Sequence, residues 1–188
     1  MKRLTTKDMI LAALFTALTI VGAKINLLFP EIPVTLQPMV VMLSGSLLGS
    51  KAALFSQIAY IALGLIGIPV FAKPMAGPAY ISSPSFGFLI GFAIGAYIIG
   101  RIIEKANKKS LFVFICANMA GLIIFYLFGV LHFYILMNLF LSKSINIINT
   151  LSICVFPFIL KDILLGILMS VISYNIYNKV KTSTSRNC

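Results

Sequence analysis

Stretches of about 20 apolar residues recur along the whole chain, and each is long enough to cross ~30 Å of hydrocarbon as an α-helix. Of the 188 residues, 60% are hydrophobic and 10% are charged, whereas a water-soluble domain carries about 25% charged residues. So few charges cannot cover the surface of a soluble fold. We therefore predict an all-α integral membrane protein, folded as a single transmembrane domain over residues 1–188.

The apolar stretches and the turn signals between them predict six transmembrane helices. The predicted spans cover residues 7–28, 34–48, 52–71, 85–103, 111 to a point between 129 and 141, and 157–178. Pro30 and Pro33 end the first span, because two close prolines break a helix. We expect residues 142–150 to form a polar external segment and residues 151–156 to form its shoulder.

Basic residues alternate in density from one predicted membrane boundary to the next. They cluster at every second boundary, beginning at the N-terminus: Lys2, Arg3, Lys7, Lys51, Arg101, Lys105, Lys108, Lys109, Lys179, Lys181 and Arg186. The boundaries between carry only Lys24, Lys73 and Lys143. Positive charge gathers in cytoplasmic loops, so we predict that both termini are cytoplasmic. The net charge of +11 then reflects topology and contact with membrane lipid, and we expect no nucleic acid partner.

Lys161 and Asp162 lie side by side in the otherwise apolar last span. A charged residue at mid-membrane costs about 2.5–3.5 kcal/mol on insertion scales, so such residues often mark a functional site. If the span begins near Pro157, the pair lies one to two turns below the external surface, which suits a pocket open to the outside. A local ion pair, or Lys161 reaching to the interface, are the alternatives, since adjacent helical residues point ~100° apart.

Polar residues also stand at the external ends of two other spans. Thr35 and Gln37 open the second span, and the Gln37 amide can both donate and accept hydrogen bonds. Ser85 and Gly87 mark the start of the fourth span, where hydroxyl and backbone groups can bind a ligand. Helix capping is the alternative for Thr35 and for Ser85.

The external loop over residues 72–84 is rich in Pro, Gly and Ser, so it can bend. Its Met75, Tyr80 and Ile81 side chains are apolar enough to cover an apolar site. We therefore predict that this loop acts as a lid, with Tyr80 as a candidate contact.

Small residues line the first span. Ala13 and Ala17 are four residues apart and share one helix face, a spacing that lets another transmembrane helix approach closely. A partner interface and internal packing both fit this pattern, which is common by chance.

Catalytic and nucleotide-binding motifs are missing from the sequence. Four acidic residues and one histidine, His132, are too few to assemble a Ser-His-Asp or two-acid site with ease. There is neither a Walker loop nor a GxSxG elbow. Cys116, Cys154 and Cys188 suggest no disulfide framework. We predict that the chain is not an enzyme, holds no metal or cofactor, and cannot power uphill transport alone.

Three stretches resemble signature regions of one family. Residues 32–54 read IPVTLQPMVVMLSGSLLGSKAAL, residues 63–92 read LGLIGIPVFAKPMAGPAYISSPSFGFLIGF, and residues 157–167 read PFILKDILLGI. These are similar to the PVTLQ, PVFA and PFLPGDLLKA regions of the BioY family. BioY proteins are the biotin-specific substrate-capture subunits, or S components, of energy-coupling-factor (ECF) transporters.

The resemblance implies a six-helix fold that binds biotin near the extracellular side of a bacterial cytoplasmic membrane. It implies that Ala13 and Ala17 dock on a transmembrane coupling subunit, and that two ATPase subunits power the complex. The expected ligand-binding residues are Thr35, Gln37, Ser85, Phe86, Gly87, Lys161 and Asp162. Biotin's ureido N–H groups suit an aspartate acceptor, and its carboxylate needs a lysine or helix N-terminal amides.

Two departures from the family pattern affect the expected site. Leu165 stands where the family has a lysine, and Phe86 stands where it has a glycine. Lys161 or Lys73 can substitute as the carboxylate-binding group. Because of these changes, an S component for another small vitamin is an alternative function. A membrane scaffold without a transport role is a second alternative, which the small-residue face of the first span permits.

Overall fold

A computed structural model describes residues 4–27, 32–141 and 143–186, with side chains as far as Lys179. Predictions that involve Lys2, Arg3, Pro30 and Cys188 lie outside the described residues. The helices and strands, in chain order, are α1 (Thr6–Lys24), β1 (Asn26–Leu27), β2 (Val34–Thr35), α2 (Gln37–Leu48), α3 (Ser50–Leu65), α4 (Phe86–Lys105), α5 (Leu111–Ile135), α6 (Ile147–Cys154) and α7 (Phe156–Arg186). A 3₁₀ turn covers Pro78–Ser82, and a π-helical turn over Leu136–Phe140 extends α5.

Within the described residues, four helices are long and apolar enough to cross a membrane. They are α1, α4, α5 with its π turn, and α7 as far as Lys179. The helical membrane-protein class is therefore confirmed. Helices α2 and α3 are apolar but contain only 12 and 16 residues. At 1.5 Å per residue they measure about 18 and 24 Å, so six crossings stay a prediction.

The predicted third span extends nearly two turns beyond the end of the helix. Helix α3 ends at Leu65, whereas the apolar pattern continues to Phe71. Gly67 has a φ of 107°, a left-handed conformation that ends helices, and Pro69 follows it. Residues 66–71 therefore leave the helix although they are apolar.

The segment before the last span contains a short helix that was not predicted, and its external position stays a prediction. Helix α6 covers Ile147–Cys154, and Asn146 Oδ1 caps it by accepting a hydrogen bond from Asn149 N at 2.8 Å. Helical periodicity is read over windows of about 11–18 residues, which an eight-residue helix cannot fill.

One small antiparallel pair of strands interrupts the all-α architecture. Asn26 pairs with Thr35, and Leu27 pairs with Val34. Two-residue strands leave no alternating pattern in the sequence, so this pair was not predicted. It holds Thr35 at the start of α2, next to the end of α1.

Helix α2 lies at the centre of the bundle, where it contacts α1, α3, α4, α5 and α7. Gly45 permits its close approach to α4. A Cβ atom at Gly45 would lie 2.8 Å from Ile99 Cβ and 2.9 Å from the Ala96 carbonyl oxygen. A larger residue would therefore force these two helices apart.

A one-residue turn at Gly49 joins α2 to α3. Gly49 has a φ of 82°, which disfavours any other residue. Glu104 Oε1 on α4 accepts a hydrogen bond from Ser50 N at 2.7 Å, at the positive end of the α3 dipole. The turn is therefore fastened to α4.

A buried polar network joins three helices in the middle of the bundle. Ser46 Oγ of α2 donates to Asn118 Oδ1 of α5 at 3.1 Å, and Asn118 Nδ2 donates to Ser170 Oγ of α7 at 2.8 Å. Asn118 and Ser170 are fully buried. Interhelical hydrogen bonds of this kind stabilise transmembrane bundles.

Candidate functional site

A cavity of about 40 Å³ lies between α2, α4, α5 and α7. That volume holds only a few water molecules and lies well below the volume of most small-molecule pockets, about 300–1,000 Å³, so the walls must move apart to admit a ligand of that size. Most of its walls are apolar, and its polar groups come from few residues. The lining residues are Ile32, Thr35, Pro38, Phe88, Phe92, Leu122, Phe125, Tyr126, Phe158, Lys161 and Asp162.

The Asp162 carboxylate is the most buried charged group in this cavity, with 4% of the residue exposed. Its Oδ2 accepts a hydrogen bond from the Tyr126 hydroxyl at 2.7 Å. Its Oδ1 lies 2.8 Å from Lys161 Nζ, in a geometry that makes no hydrogen bond. Oδ1 therefore keeps the capacity to accept a hydrogen bond from a donor inside the cavity.

Lys161 joins the carboxylate to the start of α2. Its Nζ donates to the Thr35 carbonyl oxygen at 2.7 Å while it pairs with Asp162. Adjacent helical residues were expected to share a face poorly, but the long lysine side chain lets both groups line the cavity. Lys161 and Asp162 therefore form a local ion pair and also line the cavity.

The pair lies close to the N-terminal end of α7. Asp162 is six residues after Phe156, where α7 begins. This separation is about 9 Å along the helix axis, or a little under two turns. It matches the expected depth below the end of the last span.

Gln37 lies beside the cavity without lining it. The Gln37 side chain is 4% exposed. Its Nε2 donates to the Tyr60 hydroxyl at 3.0 Å, and its Oε1 accepts from Thr35 Oγ1 at 3.3 Å. Gln37 thus holds Thr35 and α3 in place. Leu36 occupies the N-cap position of α2, but Thr35 Oγ1 accepts a hydrogen bond from Gln37 N, the first backbone N–H of the helix, at 3.3 Å.

Tyr80 and Ser85 form a second polar group, outside the cavity lining. The Tyr80 ring stacks on Phe71 at 3.9 Å, and its hydroxyl lies 3.1 Å from Ser85 Oγ. Burial raises the pKa of the Tyr80 hydroxyl above its usual value, and the hydrogen bonds from Ser85 and Ser83 offset only part of this increase. Ser85 makes no side-chain cap on α4. These contacts fasten the loop over residues 72–84 to the bundle, while Lys73 in that loop is half-buried.

Phe86 and Gly87 pack against α5. The Phe86 ring lies 5.9 Å from the His132 ring, and a Cβ atom at Gly87 would lie 2.3 Å from His132 Cβ. Gly87 therefore serves a close helix approach. Of the predicted site residues, the cavity brings together Thr35, Lys161 and Asp162.

Sequence reasoning missed the aromatic walls of the cavity and the Tyr126 hydroxyl. With 15 Phe and 7 Tyr in an apolar chain, aromatic residues give no local signal of a pocket. Only the three-dimensional contact of α5 with α7 places Tyr126 against Asp162.

Ala13 and Ala17 lie on the outside of the bundle, where both are exposed. They line an apolar groove between α1 and α3, together with Met9, Thr16, Ile20, Phe55, Ala59, Ala62, Leu63 and Ile66. Beneath the groove, Thr16 Oγ1 donates to the Ser56 carbonyl oxygen at 2.9 Å. Internal packing therefore does not occupy the Ala13 and Ala17 side chains.

Comparisons with known proteins agree with one another. The profile of the BioY family matches residues 1–182. A probable biotin transporter BioY from Lysinibacillus sphaericus is 35% identical over 97% of this chain and 93% of its own length. The biotin transporter BioY of Thermotoga maritima is 40% identical over 69% of this chain and 76% of its own length.

The fold also matches a solved structure, described as the S component for biotin from an ECF-type ABC transporter. The TM-score is 0.76 with 28% sequence identity, over 94% of this chain and 95% of the other. By its sequence along nearly its whole length, and by its fold, this chain is a member of the BioY family.

Proposed function

We propose that this chain is the biotin-binding S component of an ECF uptake transporter in a bacterial cytoplasmic membrane. It captures biotin at the extracellular side and delivers it inward when docked on an energising module. Membership of the BioY family and relatives named as biotin transporters support this function. The structural observation that carries it is the buried Asp162 carboxylate, which lines the cavity beside Lys161.

The chemistry of the cavity lining suits the ureido end of biotin, which enters when the walls of the cavity move apart. A ureido group presents N–H donors, and a carboxylate that accepts such a donor makes a charge-assisted hydrogen bond about twice as strong as a neutral one. Phe88, Phe92 and Phe125 supply apolar walls for the fused rings. Asp162 therefore receives the polar head of the ligand, and the aromatic side chains cover its apolar body.

Lys161 lies too close to Asp162 to bind the other end of the same ligand. The two side chains meet at 2.8 Å, whereas in biotin the sulfur-containing ring and a four-methylene chain separate the ureido ring from the carboxylate. Lys161 instead neutralises and orients Asp162. The carboxylate end then extends toward the external loop over residues 72–84, where Lys73 is the candidate cation and Tyr80 lies in the lid.

The proposed topology has six crossings, with both termini cytoplasmic. Lys51 follows the turn between α2 and α3, and Arg101 and Lys105 lie at the end of α4. Positive residues at these ends fit a cytoplasmic side. Asp162, near the opposite end of the bundle, then faces the outside.

The groove between α1 and α3 is the proposed contact with the coupling subunit. Exposed Ala13 and Ala17 leave room there for a transmembrane helix of the partner, and the groove lining is almost entirely apolar. The sequence of this chain contains no nucleotide-binding motif. Two ATPase subunits, bound to that coupling subunit, would therefore supply the energy for transport.

Calorimetric titration of biotin into the purified, ligand-stripped protein tests the proposed function. We expect saturable heat with one biotin bound per chain. A flat trace from folded protein would reject biotin as the ligand. Competition with other vitamins would then identify the substrate that the changes at Phe86 and Leu165 have selected.

A further inference from the structure

Helix α6 has a buried face, an exposed apolar face and an exposed polar face. Thr150 and Cys154 are fully buried against the bundle. Ile147, Ile148 and Leu151 are exposed, at 51%, 67% and 38%. At about 100° per residue, these three apolar side chains fall within one narrow sector beside the buried face.

The third sector of α6 is polar. Asn149 and Ser152 are exposed there, about 100° and 40° around the helix from Ile148. Asn146 caps the helix at the same end of the bundle, and Lys143 precedes it as an exposed cation. The helix therefore separates an exposed apolar face from an exposed polar one.

The apolar face of α6 continues the apolar surface of the two helices beside it. Leu139 and Phe140, at the end of the π turn after α5, are 75% and 76% exposed, and Phe156 at the start of α7 is 70% exposed. These residues belong to two of the candidate membrane spans. Both spans contact α6, so exposed apolar residues lie on α6 and on the two helices that it packs against.

Eight residues cannot cross the membrane. They measure about 12 Å, against ~30 Å of hydrocarbon. We propose that α6 lies in the plane of the membrane interface on the extracellular side, with its apolar face in the boundary between lipid headgroups and acyl chains. Its polar face then meets water, as in other amphipathic helices that rest on a bilayer.

The buried face of α6 links this lipid contact to the cavity. Cys154 belongs to a small apolar cluster that includes Ile32, Phe133 and Phe158. Ile32 and Phe158 also line the cavity. Helix α6 therefore supports the outer wall of the ligand cavity on one side while it contacts lipid on the other, and so fixes the depth of the cavity in the bilayer.

Tryptophan fluorescence tests this placement without background, because the chain contains no tryptophan. The full-length variants Ile148→Trp and Asn149→Trp are reconstituted in phosphatidylcholine vesicles that carry lipids brominated near the headgroup or near the acyl terminus. Ile148→Trp should be quenched several-fold more than Asn149→Trp by the shallow bromines. Deep bromines should quench it less than shallow ones.

Equal quenching of the two variants, or stronger quenching of Ile148→Trp by deep bromines, would overturn the proposal. The proposal would also be overturned if Ile148→Trp were not quenched at high protein density but were quenched after dilution in lipid. A second copy of the chain would then cover the face. If Ile148→Trp fails to fold, Leu151→Trp and Ser152→Trp give the same comparison.

Discussion

The Tyr126 hydroxyl donates a 2.7 Å hydrogen bond to Asp162 Oδ2 and so connects α5 to α7 across the ligand cavity. This bond occupies one oxygen of the carboxylate. The other oxygen, Oδ1, lies next to Lys161 and accepts no hydrogen bond. The carboxylate is thus held in one orientation before a ligand arrives, which reduces the entropy lost on binding.

Replacing Tyr126 with Phe should weaken biotin binding while the cavity keeps its aromatic wall. A hydrogen bond to a charged group contributes about 1.5–3 kcal/mol, so we expect a loss of about ten- to a hundredfold. Calorimetric titration measures the change. Tyr134→Phe is the matched control, since Tyr134 is an exposed tyrosine on the same helix. An unchanged affinity in Tyr126→Phe would show that Asp162 needs no orientation by this bond.

Asp162→Asn should weaken biotin binding by about tenfold or more, because a neutral amide accepts a weaker hydrogen bond than a carboxylate. It also leaves the Lys161 ammonium without its ion-pair partner. Asp8→Asn makes the same change of charge in the first turn of α1, far from the cavity, and should not alter affinity. Wild-type affinity in Asp162→Asn would remove Asp162 from the site.

The roles of Lys161 and Lys73 can be separated with biotin and its carboxamide, which lacks the negative charge. Lys161→Leu should weaken the binding of both ligands to a similar degree, because Lys161 acts through Asp162. Lys73→Leu should weaken the binding of biotin alone. If Lys161→Leu affected only biotin, Lys161 would bind the carboxylate and the proposed orientation of the ligand would be reversed.

Ala13→Leu and Ala17→Leu should abolish copurification with the coupling subunit and leave biotin binding intact. The leucine side chains would fill the groove between α1 and α3, and a partner helix could no longer approach closely. Cys116→Leu is the control, since Cys116 is a small exposed residue on α5. Normal assembly of both alanine variants would place the docking surface elsewhere.

Asn118→Ala should lower thermal stability without a direct effect on ligand contacts. It leaves Ser46 without its acceptor and Ser170 without its donor, and interhelical hydrogen bonds in membranes contribute about 0.6–1.7 kcal/mol. Ser44→Ala removes only a bond within α2 and should be milder. Equal melting temperatures for Asn118→Ala and the wild type would show that the network adds nothing to stability.

Apolar patterning and proline positions predicted most of the helices. Helix α4 begins and ends within two residues of the predicted span, and α2 ends at Leu48 as expected. Composition could not reveal where α3 stops, because the residues after Leu65 remain apolar and a glycine conformation ends the helix. The eight residues of α6 and the two-residue strands were too short to leave a pattern.

The charged residues of the candidate site were predictable, because inserting a charge into the membrane costs free energy. Lys161 and Asp162 were found because charges in apolar helices are rare, and both line the cavity. Tyr126 carries no such signal, because a tyrosine in a transmembrane helix is ordinary. Gln37 is polar and buried, but its hydrogen bonds to Tyr60 and Thr35 depend on contacts between helices that no local pattern encodes.

The shortness of α2 has a consequence for what the bundle can admit. Helix α2 begins at Gln37, just after Thr35, whose carbonyl oxygen is bound to Lys161 inside the bundle. A helix that spanned the full bilayer would extend outward through the space that the cavity now occupies. The start of α2 at Gln37 therefore leaves free the space that Thr35, Pro38 and Lys161 line.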